Sequence, residues 1–223
     1  MTRPALVIFD CDGTLVDSQH MIAAAMGEAF EGLGLPAPPL EAVRQTVGLS
    51  LREAVSRLLP AEALELAAAG EAGYRDAFIA MRARGDTHEP LYPGVRALLE
   101  TLSEAGLRLA VATGKGRAGL DKTLALHGLS ELFCSLQTAD GHPGKPHPSM
   151  VEAALREGGV PASRALVIGD THFDMEMAAR AGVTALGVGW GYHSAEALRA
   201  AGAAEVFDGA EALGAWTLRW ALD

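Results

Sequence analysis

The sequence predicts an α/β fold: a parallel sheet covered by helices on both faces, with a small helical module inserted after the first strand. Two observations carry this expectation. From residue 91 onward, short apolar strand-like runs alternate with helical ones, a pattern that needs crossover helices and therefore parallel strands. Residues 19 to about 84, in contrast, contain no convincing strand and are rich in alanine and leucine.

The elements follow in order. Leu6-Val7-Ile8-Phe9 is a buried first strand, which Gly13 and Thr14 turn away from. Met21, Ile22, Met26, Phe30 and Leu33 then recur at close to helical spacing until Gly34, Pro36, Pro38 and Pro39 end the run. Ser50 and Glu53 form a capping-box pattern ahead of Ala54-Val55 and Leu58-Leu59. Residues 61–84 read as one long helical segment, with Gly70 and Gly73 as weak points. Further strands are expected at 107–112, 133–137, 165–168, 183–188 and 205–207, and helices at 95–105, 119–127, 149–157, 175–181 and 195–201. Gly106, Gly128, Gly158, Gly182 and Gly202 stand after these helices, where helix-ending glycines belong.

Composition narrows the function. Hydrophobic residues make up 49% of the 223, enough for a buried core, and the formal net charge of −10 argues against a sequence-independent nucleic-acid binder. An anionic substrate would need a local positive site, and the chain has only three lysines, Lys115, Lys122 and Lys145. The two cysteines, Cys11 and Cys134, form neither a disulfide framework nor a zinc motif. No charged-then-apolar leader opens the sequence and no apolar run approaches membrane-spanning length, so a soluble cytoplasmic protein without a membrane partner is expected. An alanine-rich face of the helical module is compatible with a homodimer as well as a monomer.

Strand ends carry the chemistry. Asp10 and Asp12 follow the first strand, Thr113-Gly114-Lys115 ends the 107–112 strand, Gly144-Lys145-Pro146 lies in the loop after 133–137, and Gly169-Asp170 ends 165–168 with Asp174 four residues on. Strand ends of a parallel sheet converge on one edge, so Asp10, Asp12, Thr113, Lys145, Asp170 and Asp174 belong to one cleft. Phosphoryl transfer needs such a set. Carboxylates and a backbone carbonyl hold a hard cation such as Mg2+, a lysine, a hydroxyl and backbone N–H groups meet the developing charge, and paired carboxyls serve as nucleophile and acid/base. Singly, each residue is a turn, a cap or a solvated loop side chain; as an ordered set they are a site.

That ordered set, Asp10-Cys11-Asp12-Gly13-Thr14-Leu15-Val16-Asp17-Ser18, Thr113, Lys145-Pro146 and Gly169-Asp170 with Asp174, resembles the haloacid dehalogenase superfamily, and within it the phosphoglycolate phosphatase-like branch. The resemblance spans nearly the whole chain. It implies a Rossmann-like, doubly wound core (residues 1–16 and 86–223) and an inserted α-helical cap (17–85). It implies Asp10 as nucleophile and Asp12 as general acid/base. Magnesium would be bound by Asp10, the Asp12 carbonyl and Asp170, with Asp174 supporting through water or from outside the ligand set. Thr113 and Lys145 would bind phosphate, beside Gly114.

Substrate selection falls to the cap. Gly48-Leu49-Ser50-Leu51-Arg52 opens a helix, and Ser50 and Arg52 are its candidates for substrate contact, set against a plain capped helix with a surface arginine. Asp17 and Ser18 read more readily as the cap of the first inserted helix than as ligand contacts. Lys115 and Arg117 either line the cleft or are solvated, and Trp190-Gly191-Tyr192-His193 is either a cleft wall or an aromatic anchor. The expected activity is a magnesium-dependent phosphomonoesterase acting on a small phosphorylated metabolite, with phosphoglycolate first. The alternatives are a phosphosugar mutase, whose cap histidine is replaced here by Ile22, a pyrophosphatase, a haloacid dehalogenase, which Asp12 disfavours, and a non-catalytic binding protein.

Overall fold

The computed structural model describes residues 5–86 and 88–222. Its centre is a six-stranded parallel sheet in the order β3-β2-β1-β4-β5-β6. The strands are β1 (Leu6–Phe9), β2 (Arg108–Thr113), β3 (Phe133–Thr138), β4 (Ala165–Gly169), β5 (Thr184–Val188) and β6 (Glu205–Phe207). β1 lies at the centre and pairs with both β2 and β4. The strand order reverses there, and in open α/β sheets that reversal opens a crevice at the carboxyl ends of the strands.

Alternating side chains along β1 divide the core in two. Val7 and Phe9 join one apolar cluster with α5 (Val95–Glu104), α6 (Arg117–Leu126) and α10 (Ala210–Leu222). Leu6 and Ile8 join the other with α7 (Ser149–Gly158), α8 (His172–Arg180) and α9 (Ala195–Ala200). The expected doubly wound α/β fold is therefore present, and β1 is apolar at every position because it is buried on both faces.

The segment between β1 and α5 is helical. It contains α1 (Gln19–Gly32), α2 (Leu40–Arg44), α3 (Leu51–Leu58) and α4 (Ala67–Ala83). Ile22, Met26 and Phe30 of α1 pack with Val43, Val47, Val55 and Leu59 around an apolar cluster of their own. The chain enters and leaves this layer side by side. Asp17 donates its N–H to the Pro90 carbonyl at 2.8 Å, and Tyr92 donates to the Leu15 carbonyl at 3.1 Å.

Three details differ from the sequence reading. The 61–84 segment is not one helix: a 3₁₀ stretch over Ala61–Leu66, broken at Ala63, precedes α4. Gly70 is a contact rather than a weak point, since a Cβ there would stand 2.8 Å from the Val55 side chain of α3. The capping box at Ser50 is half made. Ser50 Oγ accepts from the Glu53 N–H at 3.4 Å, but the Glu53 carboxylate turns to Arg57 one turn on, at 3.2 Å.

Candidate active site

The loops after β1, β2, β3 and β4 meet at the sheet's switch point. Asp10 follows β1 directly, and its N–H is bound by the Ile168 carbonyl of β4 at 2.9 Å. Asp170 follows β4, and Asp174 sits in the first turn of α8. That helix begins three residues earlier than the sequence reading placed it because Thr171 caps it, and Asp174 Oδ2 accepts from both the Thr171 N–H (3.1 Å) and its hydroxyl (2.6 Å). Carboxylate oxygens of Asp10, Asp170 and Asp174 lie within 4.8 Å of one another, all buried.

One cation pairs with two of the three. Lys145 Nζ stands 2.7 Å from Asp10 Oδ1 and 2.6 Å from Asp174 Oδ1, with its side chain wholly buried. Asp170 is fixed from two sides, accepting from the Thr14 hydroxyl at 2.8 Å and the Tyr192 N–H at 2.9 Å. Asp10 Oδ2 accepts no hydrogen bond from a described residue although Asp10 is buried. Burial pushes the Asp10 carboxyl up to about 7, against the opposing pull of Lys145, and pushes Asp170 well above its ordinary value, with Asp10 and Asp174 adding to the rise. Three buried carboxylates against one ammonium, with one oxygen left over, fit a divalent cation bound by hard oxygen ligands.

Close backbone approach makes this packing possible. Gly13 has φ +89°, and a Cβ on it would stand 2.2 Å from Asp170 Oδ2. The polypeptide can pass the carboxylate at that point only without a side chain.

The Asp12 carboxylate stands outside the three-carboxylate cluster. Its Oδ1 accepts from the Ser18 hydroxyl at 2.5 Å and from Lys115 Nζ at 2.9 Å. Ser18 does precede α1, but its side chain makes no capping bond, because its hydroxyl is spent on Asp12. Asp17 accepts from Gln19 Nε2 at 3.2 Å instead of capping the helix. Lys115 is not a solvated loop lysine: its side chain is only 9% exposed and also meets Glu89 Oε1 at 3.1 Å. Against the lowering effect of burial, Asp12 and Glu89 hold its ammonium above the usual lysine range. Glu89, with a fully buried side chain, was not among the residues legible as part of the site.

The helical layer closes over this floor. The Gly48–Ser50 loop lies against the β2 and β3 loops so tightly that a Cβ on Gly114 would stand 2.3 Å from the Leu49 carbonyl oxygen, and one on Gly144 3.0 Å from Ser50 Cβ. Leu49 and Ala54 pack on Phe173 of α8. A cavity of about 510 Å³ remains between the layers. Asp10, Asp12, Thr113, Gly114 and Lys115 line it from the core, and Ser50, Arg52, Tyr74 and Phe78 from the helices. Lys145, Asp170 and Asp174 do not line it, being fully or almost fully buried. Arg52 is half exposed and paired with Glu71 at 2.6 Å, and Thr113 Oγ1 accepts the Lys115 N–H at 3.2 Å. Of the aromatic segment, Trp190 donates Nε1–H to the Thr14 carbonyl at 3.2 Å, so it anchors the loop over β1. Among the described residues no helix is long and apolar enough to cross a membrane.

Comparison with known proteins agrees with this geometry. The model of the haloacid dehalogenase-like hydrolase family matches residues 7–188. A probable phosphatase, IndB, of Dickeya dadantii is 38% identical over 202 residues, 88% of this chain and 86% of that protein. A phosphoglycolate phosphatase of Pseudomonas syringae pv. tomato is 35% identical over 209 residues, 92% of this chain and 76% of that protein. The solved structure of a haloacid dehalogenase-like family hydrolase from Streptococcus pneumoniae superposes with a TM-score of 0.83 at 26% identity, over 97% of this chain and 99% of its own.

Proposed function

The chain belongs to the haloacid dehalogenase-like hydrolases, and from that premise we propose that it is a magnesium-dependent phosphomonoesterase of the phosphoglycolate phosphatase-like branch. It works through a covalent phosphoryl-aspartate, with phosphoglycolate the first substrate to try. The core is residues 1–16 and 86–223, and the cap is residues 17–85. The observation that carries the reading is Asp10: a buried carboxylate that lines the cavity, with Oδ1 held by Lys145 and Oδ2 uncommitted.

Asp10 attacks phosphorus, forming an Asp10 O–P bond as the bond from phosphorus to the leaving oxygen breaks. Asp12 gives its proton to that leaving oxygen. It then takes one from the water that breaks the Asp10 O–P bond and releases phosphate. Thr113 and Lys145 bind the phosphoryl oxygens, and Lys145 also steadies Asp10. Asp10, the Asp12 carbonyl and Asp170 would hold magnesium, with Asp174 supporting them through water or through its bond to Lys145. When bound, the ion supplies fixed positive charge against the charge that develops on the transferring group. Gly48–Ser50, packed over Gly114 and Gly144, keeps bulk water out during the transfer.

The test is phosphate release from a panel of phosphate esters, with magnesium and with chelator. Magnesium-dependent release led by phosphoglycolate supports the reading in full. Release led by another ester keeps the phosphatase and replaces the substrate. No release from any ester refutes it.

A further inference from the structure

Lys115 does not touch Asp10, and the reaction as described gives it no task. It is nevertheless a cation at the cavity wall that pairs with two carboxylates. Its ammonium meets Asp12 Oδ1 at 2.9 Å and Glu89 Oε1 at 3.1 Å, and it lies 5.4 Å from the centre of the Phe78 ring. Glu89 is itself pinned. Its Oε2 accepts from Arg82 at 2.6 Å and from the Thr123 hydroxyl at 3.3 Å, and its carbonyl is 2.7 Å from His127 Nε2. Such a fully partnered buried carboxylate holds one geometry, and the lysine between it and Asp12 has no room to swing.

This geometry bears on one atom. Lys115 and Ser18 both donate to Asp12 Oδ1, whereas Oδ2 accepts from no described residue. An acid/base carboxyl must offer one defined oxygen to the leaving group and then to water. We propose that Lys115 is a positioning residue for Asp12. It clamps Oδ1 so that Oδ2 is the oxygen presented to the leaving group, and Glu89 holds Lys115 in place. The chain is ordered from the outside in. Arg82 and Phe78 come from α4 of the cap, and Glu89 and Thr123 from the linker and α6, so the clamp is assembled where cap and core meet.

The proposal rests on Asp12 acting as acid/base in a phosphatase, and its test separates the two claims. A residue that only supports the fold slows every substrate alike. A residue that aims a proton donor matters most when the leaving group needs a proton. The experiment compares phenyl phosphate, a poor leaving group, with 4-nitrophenyl phosphate, which leaves readily as the anion, for wild type, Lys115→Met and Glu89→Gln. Circular dichroism and the melting temperature are recorded for each.

Lys115→Met should lose about 100-fold in kcat/KM on phenyl phosphate and under about 10-fold on 4-nitrophenyl phosphate, because hydrolysis of the shared phosphoryl-aspartate, which also uses Asp12, does not enter kcat/KM. Glu89→Gln should move the same ratio in the same direction by a smaller factor, which keeps the proposal testable if Lys115→Met fails to fold. Equal losses on the two esters would overturn it. So would a rise in KM alone, which would make Lys115 a substrate anchor. No turnover by folded wild type in magnesium would overturn the phosphatase reading and this proposal with it.

Discussion

At the scale of single residues, the site is a problem of crowded negative charge solved by one lysine and by backbone without side chains. Removing Lys145 leaves Asp10 and Asp174 buried without it, and breaking a buried pair in this way costs about 3–5 kcal/mol. Lys145→Ala should therefore melt lower than wild type in chelator, recover part of the loss in magnesium, and lose turnover in magnesium. Equal melting temperatures with and without the lysine would contradict this. Gly13→Ala places a Cβ 2.2 Å from Asp170 Oδ2 in a backbone conformation that favours glycine, so it should weaken magnesium binding measured by calorimetry as well as activity.

The raised Asp10 carboxyl sets a pH dependence. The folded state keeps a proton that the unfolded chain releases, so without metal, the contribution of Asp10 to stability is fully present below 3.8 and is lost as pH rises through about 7. Magnesium should flatten that decline, which melting curves across the window with and without chelator would reveal. The motif residues were legible in the sequence because each stands at a strand end or in the loop or helix turn that follows one. Glu89 and the partners of Lys115 were not, because their meeting is set by the join between cap and core rather than by spacing along the chain.

At the scale of elements, the strands were legible because β1 and its neighbours are apolar on both faces and bounded by glycines and helix caps. Two helices were not foreseen. α2 is five residues between a proline-rich turn and a loop, too short to show a period. α10 follows an edge strand and carries Gly214 in its middle, where a Cβ would stand 3.0 Å from the Leu98 side chain, so packing on α5 rather than propensity decides it. The cap–core seam supplies the element-scale prediction. Gly114→Ala sets a Cβ 2.3 Å from the Leu49 carbonyl and props the cap open, so kcat/KM should fall by about 100-fold while the melting temperature barely moves. Unchanged kinetics would show that closure over Gly114 is not needed for turnover.

At the scale of the whole molecule, the division of labour follows the sheet. The core's switch point collects the groups proposed to react, and the inserted helices roof a cavity of about 510 Å³ above them. Chemistry was legible from ordered motifs, whereas substrate choice was not, because the helical wall offers mainly apolar and paired side chains. Arg52 stands at the rim, paired with Glu71 and more than half exposed. Arg52→Ala should change the ranking of substrates in a phosphate-release panel more than the rate on the best of them. An unaltered ranking would remove it from substrate recognition. The central claim, that Asp10 carries the phosphoryl group, is met most directly by acid-quenching the enzyme during turnover and mapping its peptides by mass. The account predicts the mass of one phosphoryl group on the peptide containing Asp10, absent in Asp10→Asn together with all turnover. An unmodified peptide from turning-over wild type, beside an active Asp10→Asn, would contradict it.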